Sequence, residues 1–237
     1  MQKLLQKEKI MERLNIANLN TIIDIGAGVG EFSNGMMSFN PNCKVYCFEP
    51  IPETYGKLKS WAKGKPNVRT FNIAIGNEEG IKEMDFCVTD PLSSSMLEPD
   101  NPEFGGEKKK LVVYQTKLDS VMADKVLQRE LFVKIDVEGM EDKVIIGGKN
   151  TISEAKGCMI EVHLAPLRKK QPTFRDIFVL MDSLGFEYCG NASQSYIEHN
   201  AIGHIDALFR KKSQLYVYDK EDIKKNSVED TGGNQGS

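Results

Sequence analysis

The sequence predicts an α/β fold, an open and mainly parallel sheet with helices on both faces. Short apolar runs alternate with helix-like segments along most of the chain, which is typical of βαβ units. A glycine-rich turn, Asp24-Ile-Gly-Ala-Gly-Val-Gly30, follows the first apolar run, and Phe48-Glu49-Pro50 follows the second. An acidic residue about twenty positions after such a turn is how a βαβ unit holds a nucleoside.

The first elements follow this alternation. Residues 1–18 carry an apolar stripe at helical spacing and predict a helix that covers one edge of the sheet. Proline and glycine clusters then separate the segments that follow. These are a strand at 21–27, a helix to about residue 39, a strand at 44–49, a helix to about residue 64 and a strand at 68–75.

Residues 81–116 interrupt the alternation with an insertion. Two predicted strands, 84–88 and 112–116, flank a loop that contains two prolines, two glycines and three consecutive lysines. Long insertions in compact domains tend to be functional or mobile. A hairpin-like flap over a bound ligand and a solvated loop with a positive tip both fit this pattern.

The alternation resumes after the insertion and completes a domain that spans residues 19–211. The polar segment 212–237 ends in glycines and small polar residues, and its composition predicts disorder. The remaining predicted elements are a strand at 131–135, a helix from Glu141 to Gly147, a strand at 158–164, a helix at 173–183 and strands near 186–189 and 205–210.

Composition excludes several classes of function. The chain has 237 residues and a net charge of −3, which gives no general case for nucleic acid or membrane partners. It has no apolar run of the roughly twenty residues that cross a bilayer and no signal peptide, which predicts a cytoplasmic protein. The cysteines lack metal-binding spacing and predict small buried side chains: Cys43, Cys47, Cys87, Cys158 and Cys189.

The charge beside the glycine-rich turn distinguishes between two nucleoside cofactors. A dinucleotide fingerprint requires a third glycine where this chain has Glu31, and a carboxylate there would repel a pyrophosphate. S-adenosylmethionine carries no phosphate, and its amino and sulfonium groups are positive. Asp24 and Glu31 therefore favour S-adenosylmethionine over NAD.

These motifs together resemble the FkbM family of S-adenosylmethionine-dependent methyltransferases, within the class I Rossmann-like group. The resemblance covers roughly residues 20–210, and its most specific segments are Phe-Glu-Pro and Lys-Ile-Asp-Val-Glu-Gly. One departure is Gly28, where many family members have asparagine. The matching segments are Asp24–Gly30, Phe48–Pro50, Ala74–Gly76 with Gly80, Ser93–Ser95, Lys117–Ser120, Lys134–Gly139 and Glu161–His163.

The resemblance implies a seven-stranded, mostly parallel sheet with a reversed last hairpin, and methyl transfer to a hydroxyl of a sugar, polyketide or other small metabolite. It implies that the glycine-rich turn surrounds the methionine part of the cofactor and that Glu49 holds the ribose. The residues implied for cofactor binding are Asp24, Gly26, Ala27, Gly28, Gly30, Glu49, Pro50, Asn72, Ala74, Ile75 and Asp136.

An alcohol acceptor also needs a group that removes its proton. Asp136 and Glu138 are two residues apart, as are Glu161 and His163, so two strand ends are expected to bring four polar side chains together. His163 or Glu138 is predicted to take the proton, and Asp136 to position a substrate. In the alternative, Glu138 caps a helix and pairs with a cation, and Glu161 is hydrogen-bonded in the core. A divalent metal suits these residue types, but the resemblance does not require one and none is predicted.

The acceptor is predicted to be a small molecule with a hydroxyl group. Lys108–Lys110 and Arg168–Lys170 flank the expected mouth of the site, where they either attract an anionic acceptor or form solvated loops. His199 and His204 fall in a polar segment that predicts a loop. The alternatives left open are an NAD-linked oxidoreductase and a non-catalytic binding scaffold, while the acidic balance disfavours RNA methylation.

Overall fold

The structure is a computed structural model that describes residues 10–14, 16, 18–89, 91–101, 103, 106–125, 127 and 130–212. Residues 10–13 are helical and lie in the predicted first helix. Residues 1–9 of that predicted helix and 213–237 of the predicted tail lie outside the described residues. Among the helices of the described ranges, none is both long enough and apolar enough to cross a bilayer.

The described residues contain ten strands and six further helices. The strands are β1 (Thr21–Ile25), β2 (Lys44–Phe48), β3 (Val68–Phe71), β4 (Ala74–Ile75), β5 (Gly80–Cys87), β6 (Lys108–Thr116), β7 (Leu131–Ile135), β8 (Gly157–His163), β9 (Phe186–Tyr196) and β10 (Ile202–Lys211). The helices are α1 (Glu31–Met36), α2 (Pro52–Ala62), α3 (Leu118–Met122), α4 (Glu141–Gly147), α5 (Lys149–Ser153) and α6 (Phe174–Ser183).

The main sheet confirms the predicted fold class. Its seven strands have the order β3-β2-β1-β7-β8-β10-β9, and the first five run parallel. β10 is antiparallel to both β8 and β9, which is the expected reversed hairpin. The chain builds outward from β1 in one direction and from β7 in the other, so the strand order switches between β1 and β7. Open α/β sheets bind ligands beyond the carboxyl ends of the strands at such a point.

Buried strands explain why this sheet forms. All five residues of β1 and of β7 are buried, because helices and connecting segments cover both faces of the sheet. Successive side chains of a strand point to opposite faces, and accordingly Ile22 and Ile23 belong to separate apolar cores on the two sides. Continuous apolar runs rather than alternating ones are what a parallel sheet requires.

The insertion forms a second sheet of three strands in the order β4-β6-β5. β5 and β6 pair antiparallel, and both are longer than the strands predicted at 84–88 and 112–116. The single strand predicted at 68–75 is wrong, because it divides into β3 in the main sheet and β4 in the second sheet. Asn72 lies at the break and donates to the carbonyl oxygens of Glu49 and Pro50 at 2.9 Å each, which holds the chain where it leaves the main sheet.

The last hairpin is also longer than predicted. β9 and β10 extend over residues predicted as a polar loop, so that Ser195 and His204 lie opposite each other in the sheet. Three register shifts interrupt the pairing of these strands. Strands that expose polar side chains lack the apolar run that marks a buried strand, which is why the pattern missed them. His199 lies in the turn between them, at a φ of 60°.

Gly147 fixes the contact between α4 and the start of the second sheet, which leads to a prediction about stability. A Cβ at this position would lie 1.9 Å from the carbonyl oxygen of Gly76, and backbone cannot move aside cheaply. We expect Gly147→Ala to lower the free energy of unfolding by about 3 kcal/mol, measured by urea denaturation.

Gly56→Ala is the matched control for this substitution. Gly56 lies within α2, and a Cβ there meets nothing within 4 Å. We expect this change to raise stability by about 0.5–1 kcal/mol, because alanine restricts the unfolded chain. Equal effects of the two substitutions would contradict the close packing of Gly147 on Gly76.

Candidate active site

A cavity of about 240 Å³ lies where the strand order switches, beyond the carboxyl ends of β1, β2 and β7. One part of its wall is apolar and the other part is acidic. The apolar part comes from β2, β4 and the segments beside them. The predicted site residues that line the cavity are Gly26, Gly28, Glu49, Pro50, Ala74, Ile75, Asp136 and Glu138.

The glycine-rich turn lies directly against the loop that follows β7. Gly26 has a φ of +74°, and a Cβ there would lie 1.7 Å from the carbonyl oxygen of Asp136. The N–H groups of Gly26 and Ala27 both donate to the carbonyl oxygen of Phe48 at 3.0 Å. A side chain at position 26 would therefore separate the two loops that form the floor of the cavity.

Glu49 is held by backbone amides on both carboxylate oxygens. Gly28 N–H donates to Oε2 at 3.0 Å, and Ile51 N–H donates to Oε1 at 2.9 Å. The side chain is 4% exposed, and burial raises the pKa of Glu49 to about 7, against the lowering effect of these amides. A carboxylate fixed in this way has lone pairs left for the hydroxyls of a ligand.

Lys134 is a buried cation beneath the glycine-rich turn. Its ammonium donates to the carbonyl oxygen of Gly26 at 2.8 Å and lies 3.1 Å from Asp136 Oδ2 and 3.6 Å from Asp24 Oδ1. Burial alone would lower the pKa of Lys134, but the carboxylates of Asp136 and Asp24 raise it above its usual value. One side chain therefore joins the end of β1 to the end of β7.

Asp24 is fully buried and does not line the cavity. Ser33 Oγ donates to Asp24 Oδ2 at 2.6 Å, which ties the turn to α1. Burial raises the pKa of Asp24, and Lys134 and Ser33 oppose that shift. The structure thus places Asp24 under the turn, where it positions the backbone.

Three more predicted cofactor residues also lie outside the lining of the cavity. Ala27 is buried in the core, and Asn72 holds the carbonyls of Glu49 and Pro50 as described above. A Cβ at Gly30 would lie 2.6 Å from the ring of Trp61, so this glycine allows α2 to pack closely on the turn. Each of these three residues supports the shape of the cavity without lining it.

Glu138 lies at the cavity in a constrained backbone conformation. Its φ is +58°, which is uncommon for a residue with a side chain and often marks a functional site. Arg168 Nη2 lies 3.0 Å from Glu138 Oε2, and Ser95 Oγ donates to the Glu138 carbonyl at 2.7 Å. Burial raises the pKa of Glu138 to about 7, although the charge of Arg168 lowers it. The carboxylate of Glu141 accepts from the N–H groups of Val137 and Gly139, the residues on either side of Glu138, and so holds the loop that follows β7.

His163 is buried beside the cavity and does not line it. Its Nδ1 lies 3.0 Å from Nε2 of Gln171, and its ring centroid lies 5.5 Å from that of His204. Burial lowers the pKa of His163 to about 4, and the nearby His204 and Arg168 add to this shift. The ring is therefore neutral at pH 7.

For Arg168 the structure supports neither of the two interpretations of the sequence, an anion-attracting mouth or a solvated loop. Arg168 is 3% exposed, and besides Glu138 it contacts the carbonyl oxygen of Ser93 at 2.8 Å. Lys169 pairs with Glu98 at 3.1 Å. Burial of the arginine beneath the 93–100 segment removes it from the surface, where it would attract an anion.

Some residues of the site are absent from the predicted set. Lys134 had a usable signal, since a lysine in the middle of a buried apolar strand needs carboxylate partners. Arg168 lies in the basic segment predicted at the mouth of the site and Ser95 in a segment that resembles the family, but their contacts with Glu138 leave no local pattern, because the partners are distant in the sequence. Gln171 is buried, and its position in a polar loop predicts a surface residue instead.

One group of side chains has the composition of a metal site. A ring nitrogen of His163 and one carboxylate oxygen each of Glu138 and Glu161 lie within 4.8 Å of one another. A metal needs a lone pair on the imidazole, yet Nδ1 already faces the amide of Gln171. Because the amide oxygen of Gln171 already accepts from Leu167 and Arg168, its NH₂ group donates to Nδ1 and the ring proton lies on Nε2, which disfavours His163 as a ligand. The absence of a metal stays a prediction.

Comparison with known proteins gives results that agree with this geometry. A family model described as the methyltransferase FkbM domain matches residues 24–188. The 2-O-methyltransferase NoeI of Sinorhizobium fredii (strain NBRC 101917 / NGR234) is 26% identical over 177 residues, which cover 68% of this chain and 71% of NoeI.

A solved structure shows the same fold. The crystal structure of methyltransferase FkbM from Methylobacillus flagellatus KT is similar with a TM-score of 0.50 and 14% sequence identity. The similarity covers 81% of this chain and 44% of the other, so the chain spans less than half the length of that protein.

The buried position of Lys134 leads to a prediction. Replacing it with methionine leaves Asp24 and Asp136 next to each other without a cation, and Asp24 is fully buried. We expect Lys134→Met to lower the free energy of unfolding by about 3–5 kcal/mol in urea denaturation. In the control Lys57→Met, an exposed lysine loses its pair with Glu53, and we expect a change below about 0.5 kcal/mol. Similar effects in both variants would show that Lys134 does not hold the loops together.

Proposed function

The chain belongs to the FkbM family of methyltransferases, and on this premise we propose that it transfers a methyl group to a hydroxyl of a neutral small molecule such as a sugar. Its cofactor is S-adenosylmethionine, which supplies an activated methyl group when bound. The observation that carries the proposal is a cavity whose one side fits a nucleoside and whose other side offers carboxylates to an acceptor.

The cavity residues fit the cofactor. Glu49 would accept hydrogen bonds from the ribose hydroxyls, because both of its oxygens are already oriented by backbone amides. Ala74 and Ile75 belong to the apolar wall and would lie against the adenine. Gly26 and Gly28 would allow the methionine part to approach the backbone, since neither has a Cβ.

The charge of the cavity indicates the kind of acceptor. The carboxyl groups of Glu49, Asp136 and Glu138 all contribute to its lining. The cations beside them, Lys134 and Arg168, are buried and already contact carboxylates. A phosphorylated or carboxylated acceptor would meet repulsion here, as would the pyrophosphate of NAD, so the acceptor is proposed to be uncharged. NoeI, a 2-O-methyltransferase by name, is consistent with a hydroxyl acceptor.

Glu138 is proposed as the general base of the reaction. It lines the cavity, and its pKa of about 7 is suited to accept a proton near neutral pH. Arg168 fixes one of its oxygens, and the hydrogen bond from Ser95 fixes its backbone. Asp136, held by Lys134, is proposed to position a substrate, because most of the catalysis of methyl transfer comes from alignment.

The raised pKa of Glu49 predicts how cofactor binding depends on pH. Below about pH 7 the carboxyl carries its proton and accepts ribose hydroxyls less well. Affinity for S-adenosylhomocysteine is therefore expected to fall as the pH drops through 7, by up to about tenfold per unit. Isothermal titration calorimetry between pH 5.5 and 8.5 measures this dependence.

Two variants serve as controls for this pH dependence. Glu49→Gln should weaken binding about 10- to 100-fold, because an amide cannot accept from both backbone N–H groups. It should also remove the pH dependence, because an amide does not titrate in this range. Glu53→Gln changes an exposed carboxylate at the start of α2 and should leave the affinity unchanged. Binding that is independent of pH in the unaltered chain would contradict the assignment of Glu49.

The proposed base predicts a second result. Glu138→Gln is expected to lower kcat/KM about 100- to 10,000-fold while leaving the affinity for S-adenosylhomocysteine within about threefold. Turnover is followed as release of S-adenosylhomocysteine with neutral glycosides and their phosphorylated counterparts as acceptors. In the unaltered chain kcat/KM should rise with pH through about 7, since the ionised form of Glu138 is the active one.

The outcome of this assay distinguishes the proposal from its rivals. Turnover with phosphorylated glycosides alone would refute the neutral acceptor. Cofactor binding without turnover across the whole set would favour a binding scaffold.

A further inference from the structure

Three polar side chains converge at the edge of the cavity, and two of them, Glu138 and Glu161, belong to its lining. Glu138 follows β7, and Glu161 and His163 point to the same face of β8 because they are two residues apart. One oxygen of each carboxylate and one nitrogen of the imidazole lie within 4.8 Å of one another. An atom at the centre of such a triangle is at most about 2.8 Å from each corner, which is the distance of a hydrogen bond.

Gln171 determines which nitrogen of His163 carries the proton. Its Oε1 accepts from the N–H groups of Leu167 at 2.9 Å and Arg168 at 3.2 Å, which fixes the orientation of the amide. Its NH₂ group therefore faces His163 Nδ1, at 3.0 Å, and that nitrogen must accept. This hydrogen-bond network assigns the proton of the neutral ring to Nε2. The nitrogen that remains for a ligand is thus a donor.

Glu161 supplies a second donor. Burial, together with the charges of Asp136, Glu138 and Asp206, raises the pKa of Glu161 to about 10, so the carboxyl is protonated at neutral pH. Its Oε2 is buried and has no hydrogen-bond partner among the described residues. The nearest cationic candidate is His204, whose Nε2 lies 3.8 Å from Oε1.

We propose that Glu138, Glu161 and His163 form a subsite for a single hydroxyl oxygen of the acceptor. The carboxylate of Glu138 accepts the hydroxyl proton, and Glu161 and His163 donate to the oxygen. A hydroxyl has one proton to give and two lone pairs to share, and the subsite offers one acceptor and two donors. This inference rests on the proposed function and extends it to the geometry of the acceptor.

The subsite also accounts for the chemistry at the oxygen. The O–H bond breaks and its proton moves to Glu138, while the oxygen forms a bond to the methyl carbon. The electron pair of the broken carbon–sulfur bond remains on sulfur, which becomes uncharged. The two donors stabilise the negative charge that develops on the oxygen and leave its third lone pair free to attack. Gln171 acts as a positioning residue, because it acts only through His163.

A hydroxyl fits this space better than a cation does. Nδ1 of His163 accepts from Gln171 and Nε2 carries the ring proton, so the neutral ring offers no lone pair to a metal. The guanidinium of Arg168 lies 3.0 Å from Glu138 and supplies the positive charge that a metal would bring. The same arrangement assigns proton removal to Glu138 rather than to His163.

The first test is the tautomer of His163 by nitrogen-15 NMR of the full chain with labelled histidine. The chain has three histidines, so His199→Ala and His204→Ala assign the signals. We expect His163 to be neutral between pH 5 and 8, with its proton on Nε2. A proton on Nδ1, or a charged ring at pH 6, would overturn the proposal.

Gln171→Glu reverses the polarity of this contact and tests the positioning role. The new carboxylate accepts from Nδ1–H, so the proton is expected to leave Nε2 in the NMR spectrum. Gln194→Glu is the control, since Gln194 is an exposed amide on β9, and it should leave the His163 signal unchanged. An unchanged tautomer in Gln171→Glu would show that Gln171 does not set it.

The second test uses glycerol as the hydroxyl probe on the chain saturated with S-adenosylhomocysteine. We expect glycerol to shift the His163 Nε2 signal, and we expect no shift from its trimethyl ether, which has no hydroxyl. Gln171→Glu should abolish the glycerol shift. Equal shifts from both probes, or none from glycerol, would overturn the subsite.

Metal titration tests the remaining alternative, that the three side chains bind a divalent metal. In calorimetry with Mg²⁺ and with Zn²⁺, we expect no metal binding that depends on Glu138. Binding that is present in the unaltered chain and lost in Glu138→Gln would show that the three side chains hold a metal and not a hydroxyl. Failure to bind S-adenosylhomocysteine would refute the proposed function itself. Normal binding of S-adenosylhomocysteine with the proton of His163 on Nδ1 would refute the subsite alone.

Discussion

The ammonium group of Lys134 is the contact on which the rest of the site depends. It pairs with Asp24 at the end of β1 and with Asp136 after β7, and it donates to the carbonyl of Gly26 between them. The two strands it joins are the ones between which the strand order switches. Three oxygens share this one buried cation, so the positions of the glycine-rich turn and the Asp136 loop depend on each other. Gly26 reinforces this dependence, because no side chain fits between these loops.

This arrangement also explains why an acidic cavity is tolerated. Unpaired carboxylates in a buried space are costly, and proteins offset that cost by neighbouring cations, backbone amides or protonation. All three occur here: Lys134 and Arg168 supply cations, Glu49 accepts from backbone amides, and Glu161 holds its proton. The cations lie behind the carboxylates, so the surface that faces a ligand stays acidic. A positively charged methyl donor and an uncharged acceptor suit that surface.

Short-range sequence patterns predicted the part of the site that is built from residues close together in the sequence. Glu49 and the glycine-rich turn were found because a strand end and a tight turn fix their residue types at short spacing. The proposed acceptor side was predicted only in part. Glu138, Glu161 and His163 were expected to lie together, as they do, but the contacts that set their chemistry were not expected. Arg168 meets Ser93 across 75 positions of sequence, and no short-range pattern reports such a contact. The reversed last hairpin was expected, but the full length of β9 and β10 was not, because the exposed polar residues near its turn give no apolar run.

The insertion connects the two halves of the site, and this gives it a role beyond that of a cover. Its 93–100 segment contacts the Glu138 loop through Ser95 and contacts the 167–169 segment through Asp100 and Lys169. The proposed base, Glu138, is therefore held by the same segment that hydrogen-bonds to residues 167 and 169. The insertion also packs on the proposed cofactor side, because Met84 shares an apolar cluster with Ala74. A change of sequence in the insertion would therefore act on both sides of the site, on the Glu138 loop through Ser95 and on the apolar wall through β5 and β6.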